Sequence, residues 1–417
     1  MTITRRTMLA GTALAATATT LAGARQARAQ ASGTLQIPMI MPFSGPVAVV
    51  SNFAKQGAEI TADLINKKGG VAGRKLEFTY MDDRGRPDES NARVREALAA
   101  GHKLITGAVL YPSILAMTPA LTENNAVLVA CGGTGATLSH ENFSRNVFPG
   151  IENDYFRARS MALLAVQKFP DVSTWGAVIS DSANWIEGYA NFTKFAGDYY
   201  REIGKKVSFA DPVLAKLGTS DMRNQINQLQ AAPIDGLWNL VAGGDGIALW
   251  QQGRAVDLGK KFKVVLDQSL DFILMKTLKQ AIPANLWALC AWNFNLYKGN
   301  ALADEFYKEV LERTKDPIPS GFMQYGNVMA SVVSALLTAT KGSMDGAALI
   351  NTLEGLTIPT IKGDFVFRKE DHLWTGDINF VNARPADADP GFQLVDGFKV
   401  DGRAIAQPAN PGKPFKL

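Results

Sequence analysis

Three histidines, His102, His140 and His372, are scattered through 417 residues. None has a partner at HxxxH or HExxH spacing, the arrangement that sets two imidazoles on one helix face for zinc. The sequence has no CxxC pair and no GxSxG nucleophile elbow. Asp82 and Asp83, in YMDDRGRPDES, lack the regular oxygen spacing of a calcium loop and read as a polar turn into a helix. Ser180-Asp181 reads as the polar end of a strand. Two carboxylates alone can hydrolyse a glycoside, but nothing marks out such a pair, so no enzyme, metal or cofactor is expected. The glycine turns remain. ACGGTGATL (130–138) follows the apolar run AVLVA (126–130). A strand ending in glycines before a helix is where backbone N–H groups hold anions. The turn lacks the lysine of a phosphate loop, and Leu138 stands where a dinucleotide fingerprint needs glycine or alanine. In AGGDGIA (242–248), Asp245 would repel an incoming phosphate. A single carboxylate is the anion these turns still suit.

Such turns must be presented by a sheet. Apolar runs at 35–43, 75–82, 103–110 and 126–130 alternate with helical patterns at 53–70, 88–102 and 112–124. The pattern restarts with a helix at 155–169. Strands follow at 174–180, 206–215, 236–242, 261–267 and 286–292, with helical segments between them, including 188–204. Alternation of this kind implies parallel sheets with helices on both faces. A mostly helical stretch (301–315, 324–340, 344–355) has no strands of its own and must pack on an earlier lobe. The tail, 361–417, reads as short strands with Asp, Gly and Pro turns. The expected fold is α/β, with two doubly wound lobes. Ligand sites in such sheets lie at the carboxyl ends of the strands, so two facing lobes would form a cleft.

Residues 1–31 read as an export leader. A twin arginine (Arg5, Arg6) precedes small and apolar residues ending in small-x-small cleavage sites, which suggests the Tat route to the periplasm. The leader holds four of the 43 basic residues and none of the 39 acidic ones, so the remainder is balanced in formal charge. No basic surplus argues for nucleic acid or an anionic membrane. The longest later apolar run, VMASVVSALLTA (328–339), is shorter than a bilayer span requires. Cys131 and Cys290 lie in separate apolar runs and are expected as two buried thiols.

The stretch PFSGPVAVVSNFAKQGAEITADLINKKGGVAGRKLEFTYMDD (42–83) resembles the opening of leucine/isoleucine/valine-binding-protein-like periplasmic receptors. The likeness continues in order through LITGAVLYPSILAMTPAL, ACGGTGATL, ISDSANWIEGYANF and MQYGNVMASVVSALLTA. It implies two Rossmann-like lobes joined by three hinge crossings, placed near 148–152, 291–295 and 361–364. Lobe 1 would comprise 32–150 plus 294–362, and lobe 2 would comprise 151–293 plus 363–417. It also implies a solute receptor of an ABC importer, a monomer that hands its ligand to a membrane permease.

The resemblance places Leu110, Tyr111 and Ser113 at the ligand edge and Gly133 and Thr134 on the ligand carboxylate. Trp185, Ala242 and Gly243 come from the second lobe, Asp267 or Gln268 stands where amino-acid binders carry an acid for the ammonium, and Tyr325 is an aromatic on the late helix. Amino-acid binders usually have small hydroxyl residues where this chain has Tyr111-Pro112. The expected ligand is therefore a small carboxylate, either an amino acid or an aromatic acid. A ligand sensor of the same fold signalling to a partner protein, and a secreted hydrolase, are the other readings.

Overall fold

The computed structural model describes residues 33–415 apart from Pro46, Ala242 and Leu270. The leader and the Ala242 position fall outside these residues. The chain opens Thr34–Met41 (β1), Ala48–Lys67 (α1), Lys75–Asp82 (β2), Pro87–Ala99 (α2), Leu104–Gly107 (β3), Tyr111–Glu123 (α3), Val127–Ala130 (β4) and Val147–Pro149 (β5). Within the described residues these strands form a five-stranded parallel sheet, ordered β2-β1-β3-β4-β5. Strands β3 and β4 are buried at every position. Helices cover both of their faces, which is why they read as apolar runs without alternation. Helix α2 begins on Pro87 with Asp88 and Glu89 in its first turn, matching the missing N–H and the positive helix end.

The second sheet is built from Asp154–Lys168 (α4), Thr174–Ser180 (β6), Ala183–Glu202 (α5), Ser208–Phe209 (β7), Val213–Ala215 (β8), Arg223–Ala231 (α6), Gly236–Leu240 (β9), Gly243–Gly253 (α7), Val264–Asp267 (β10), Phe272–Leu278 (α8) and Leu286–Cys290 (β11). The run expected as one strand over 206–215 is two. Pro212 has no N–H for a ladder. The chain therefore pairs with Thr174–Trp175, leaves the sheet, and pairs again with Val178–Ser180. Next come Ala301–Thr314 (α9), Met323–Ala339 (α10), Gly346–Leu353 (α11), Ile358–Thr360 (β12), Gly363–Phe365 (β13), Asp377–Pro385 (β14) and Phe392–Asp401 (β15). The tail was expected as short strands. Instead β14 and β15 form a long antiparallel hairpin, and β14 extends the second sheet by pairing antiparallel with β11.

Helix α10 does pack on the first lobe, against α1, and small residues set the spacing. A Cβ on Gly57 would lie 1.9 Å from the Met323 carbonyl oxygen, and one on Gly326 would lie 1.8 Å from that of Ala54. The two backbones therefore approach more closely than any side chain would permit. Asn327 links this helix pair to the next connection: its Nδ2 donates to Thr61 Oγ1 at 3.1 Å, and its Oδ1 accepts from Ile361 N at 3.3 Å.

The chain passes between the sheets at 150–153, between β11 and α10, and between α11 and β14. These connections are packed solid. Phe148 stacks on His372 at 3.8 Å and meets Phe367 edge-on at 5.2 Å. A continuous apolar core runs from Leu35 and Val127 in one lobe through Phe148, Phe367 and Trp374 to Trp238 in the other. Beyond β15 the chain returns to the first lobe. Gly412 N donates to the His140 carbonyl at 2.7 Å, Phe415 N donates to Glu141 Oε2 at 2.8 Å, and Asn153 Nδ2 donates to Gln407 Oε1 at 3.1 Å. None of the described helices is long and apolar enough to cross a membrane.

Candidate functional site

The carboxyl ends of the two sheets meet. Met41 at the end of β1, Cys131 after β4, Ile151 in the first connection, Ala291 after β11, and Tyr325 on α10 share one buried cluster. Cys131 and Cys290 are both free and buried. Burial pushes the Cys131 thiol up to about 12, so it is an inert, neutral floor under the glycine turn.

The turn after β4 is held from beneath. Cys131 N donates to the Gly107 carbonyl at 2.8 Å, and Gly133 N donates to the Val109 carbonyl at 3.0 Å. Gly133 has φ +73°, a conformation that favours glycine. Its N–H is therefore spent within the first lobe. Thr134 faces the other way. Its carbonyl accepts from Asp154 N at 2.7 Å, and its hydroxyl favours the ionised form of the Asp154 carboxyl. The glycine turn is thus bonded to the first turn of α4, across the first connection.

Leu110 caps α3 and is half-buried. Tyr111 stands over the same turn. Its hydroxyl lies 2.6 Å from Thr137 Oγ1 and accepts from Asn142 Nδ2 at 2.7 Å. Its ring lies 3.0 Å from where a Cβ on Gly135 would be. Tyr325 is 6 % exposed. Burial raises its hydroxyl well above the usual phenol range, with Arg157 opposing. Trp185 lies in the first turn of α5, half-buried against the core. Gly243, with φ +59°, opens α7 in free space.

Two expected ligand residues point inward. Ser113 is 1 % exposed, with its hydroxyl 2.9 Å from Ser90 Oγ; Ser90 in turn lies 2.8 Å from Asp83 Oδ2. Asp267 is fully buried. Its carboxylate accepts from Asn239 Nδ2, and from Ser269 N at 2.7 Å and Ser269 Oγ at 2.9 Å. It organises the end of β10 within its own lobe. The neighbouring Gln268 is half-buried and neutral, and its N–H donates to the Asn239 carbonyl at 3.1 Å. The pair Asp82-Asp83 is structural, as the turn reading expects. Asp82 accepts from Phe43 N at 2.9 Å and Ser44 Oγ at 2.7 Å, which fixes the loop after β1.

The sequence reading did not single out the charged group at the first connection. Arg157 Nη2 donates to Glu152 Oε1 at 3.2 Å. Burial works against the Arg157 charge, but Glu152, Tyr325 and Asp154 outweigh it and hold the guanidinium cationic. Burial lifts the Asp154 carboxyl above the usual range, with Arg157 and Thr134 opposing. Lys362 is 4 % exposed, and burial depresses it against the pull of Glu152 and Asp377. In IENDYFRAR these residues look like an ordinary helix start. The available signal was their density beside an expected hinge.

A profile of the periplasmic binding protein family matches residues 34–389. The chain belongs to that family. Within it, this periplasmic binding protein is of the leucine/isoleucine/valine-binding-protein type, with the two-lobed type I α/β fold. It is 30% identical over 162 residues to the Leu/Ile/Val-binding protein homolog 3 of Brucella melitensis, covering 39% of this chain and 43% of that one. It is 22% identical over 342 residues to the Leu/Ile/Val/Thr-binding protein of Salmonella typhimurium, covering 81% and 88%. Among solved structures, a branched-chain amino acid ABC-type transporter protein of Rhodopseudomonas palustris superposes with a TM-score of 0.74 at 20% identity, covering 90% of this chain and 99% of that one. An ABC-transporter solute-binding protein of the same species, in complex with 3,4-dihydroxy benzoic acid, gives a TM-score of 0.72 at 18% identity, covering 88% and 98%.

Proposed function

We propose that this periplasmic binding protein is the extracytoplasmic receptor of an ABC importer. It captures a small carboxylate-bearing metabolite in the cleft between its lobes by hinge closure, then presents the closed form to a membrane permease. One observation carries the reading: the glycine turn after β4 is bonded through Thr134 to Asp154, at the point where the chain enters the second lobe. A ligand on that turn touches both lobes and stabilises their closed arrangement. The family and the export leader fit a periplasmic location. Of the two ligand classes, aromatic acids are the better supported. The Asp267 carboxylate is occupied within its lobe, Gln268 carries no charge for an ammonium, and the Tyr111 ring stands over the turn. Solute-binding proteins of the same fold are described with such acids bound.

A thermal-shift screen across amino acids, aromatic acids, amides and short peptides tests this. A true ligand at a hundredfold excess over Kd adds about 2.7 kcal/mol of stability. Solution scattering should then show contraction on binding. If no small molecule stabilises the protein, the receptor reading fails.

A further inference from the structure

Arg157 carries hydrogen-bonding capacity that the protein leaves unused. A guanidinium has five N–H donors in a rigid fork. Nη2 makes one long bond to Glu152 at 3.2 Å, while the buried Nε–H has no hydrogen-bond partner. The side chain is 17 % exposed, so it is neither sealed in the core nor free in solvent. Its setting is the junction described above. Tyr325 and Asp154 are its electrostatic neighbours, and Asp154 is bonded to Thr134. Burying a charged donor unsatisfied is costly. A well-packed hinge with nothing to gain from such a donor would carry a smaller, neutral residue there. An Nε–H with an adjacent Nη–H is the pair that takes a carboxylate through two parallel bonds.

We propose that Arg157 is the cationic partner of the ligand carboxylate and sets the preference of the cleft for acids over neutral analogues, with Glu152 as the internal counter-ion that holds it before ligand arrives. This deepens the receptor reading and rests on it. Ligand carboxylate and Glu152 then compete for one guanidinium. Lys362 is buried too, and its charge and that of Glu152 favour one another. The arrangement predicts opposite effects for the two partners. Losing the arginine weakens acid binding. Neutralising Glu152 removes the competitor and does not.

Calorimetry with benzoate and leucine, and with benzamide and leucinamide as their amide counterparts, tests this on the wild type, Arg157→Gln, Arg157→Lys and Glu152→Gln. The wild type should prefer at least one acid over its amide by a hundredfold or more. Arg157→Gln should lose that preference and a hundredfold or more in acid affinity. Arg157→Lys keeps the charge without the fork and should lose tenfold or more, which keeps the test open if the glutamine variant does not fold. Glu152→Gln should bind the acid as tightly as the wild type or tighter. A folded Arg157→Gln protein within threefold of wild type for the acid overturns the inference. So does Glu152→Gln falling as far as Arg157→Gln, because the pair would then be a brace. A wild type that binds acid and amide equally overturns the inference but leaves the receptor reading standing. A wild type that binds none of the four, nor anything in the wider screen, takes the receptor reading down with it.

Discussion

The two glycines of the turn after β4 do different work, and alanine at each should show it. A Cβ on Gly132 would lie 2.1 Å from the Val109 carbonyl oxygen and 2.5 Å from its carbonyl carbon and Cα. These are backbone atoms of the short connection between β3 and α3 and cannot swing aside as a side chain can, so the turn itself must lift by more than an ångström. That strain is of the overpacking kind, about 1–3 kcal/mol. It also pulls Gly133 N away from the Val109 carbonyl, a 3.0 Å bond worth about 1 kcal/mol. Gly132→Ala should therefore cost about 2–4 kcal/mol. At Gly133 the obstacles are side-chain ends, Ile114 Cδ1 at 2.2 Å and Leu138 Cδ1 at 3.3 Å, rather than backbone. The left-handed backbone adds about 1–2 kcal/mol, so Gly133→Ala should cost less than Gly132→Ala. Gly244, exposed with nothing within 4 Å of a Cβ, is the control and should be close to neutral. Lifting the turn also displaces Thr134 from Asp154, and losing one such bond to the ligand framework should weaken binding about tenfold. Urea denaturation gives the stabilities, and calorimetry with the screened ligand gives the affinities. If Gly132→Ala stays within about 0.5 kcal/mol of wild type, or Gly133→Ala proves the more damaging, this account of the turn is wrong.

Other perturbations follow from the same packing. Gly326→Ala places a Cβ 1.8 Å from the Ala54 carbonyl oxygen and 2.3 Å from Ala58 N. It should destabilise by about 2–3 kcal/mol, and combined with Gly57→Ala the loss in a double-mutant cycle should fall short of the sum, because the helices part only once. His372 is fully buried, and burial lowers its pKa below the ordinary 6.5, with Val147 and Glu354 opposing. The unfolded chain then takes up this proton first, so the stability tied to a neutral His372 is complete above pH 6.5 and declines as the pH falls below it. His372→Gln should flatten that segment of a stability–pH curve, while the loss tied to Glu354, whose pKa is lowered, persists at more acidic pH. Cys131 and Cys290 should resist a thiol reagent in the native protein and react once it is unfolded. Deleting the chain from Pro408 onward uncovers His140 and Tyr155, against which Phe415 packs at 4.8 Å and 5.9 Å, and should lower the melting temperature.

Much of the architecture is legible locally. The runs that became β3 and β4 are apolar throughout because both faces are covered, and the helix periodicities at 53–70, 88–102 and 301–315 mark elements within a few residues of their observed bounds. The break at Pro212 is equally present in the sequence, as a missing donor. The β14–β15 hairpin was not readable as part of the second sheet, because its partner strand β11 lies far upstream in the chain. The site divides in the same way. Thr134, Tyr111 and Tyr325 can be proposed from the sequence because a glycine turn and two family-matched aromatics are features of short stretches. The inward turn of Ser113 and Asp267 was not foreseeable. Each is set by its bonding partners, Ser90 for one and Asn239 and Ser269 for the other, and whether those partners take its oxygens is decided only on folding.

By itself, then, the sequence determined the order of strands and helices and the presence of a glycine turn that lacks the lysine of a phosphate loop. Those properties depend on the period of apolar residues and on which positions lack a side chain. Only the tertiary structure decided which carboxylates are spent internally, and that Arg157, Glu152, Asp154 and Lys362 gather where the lobes join. Charge and burial at that point depend on segments two hundred residues apart being brought into one low-dielectric space, and no local pattern records that meeting.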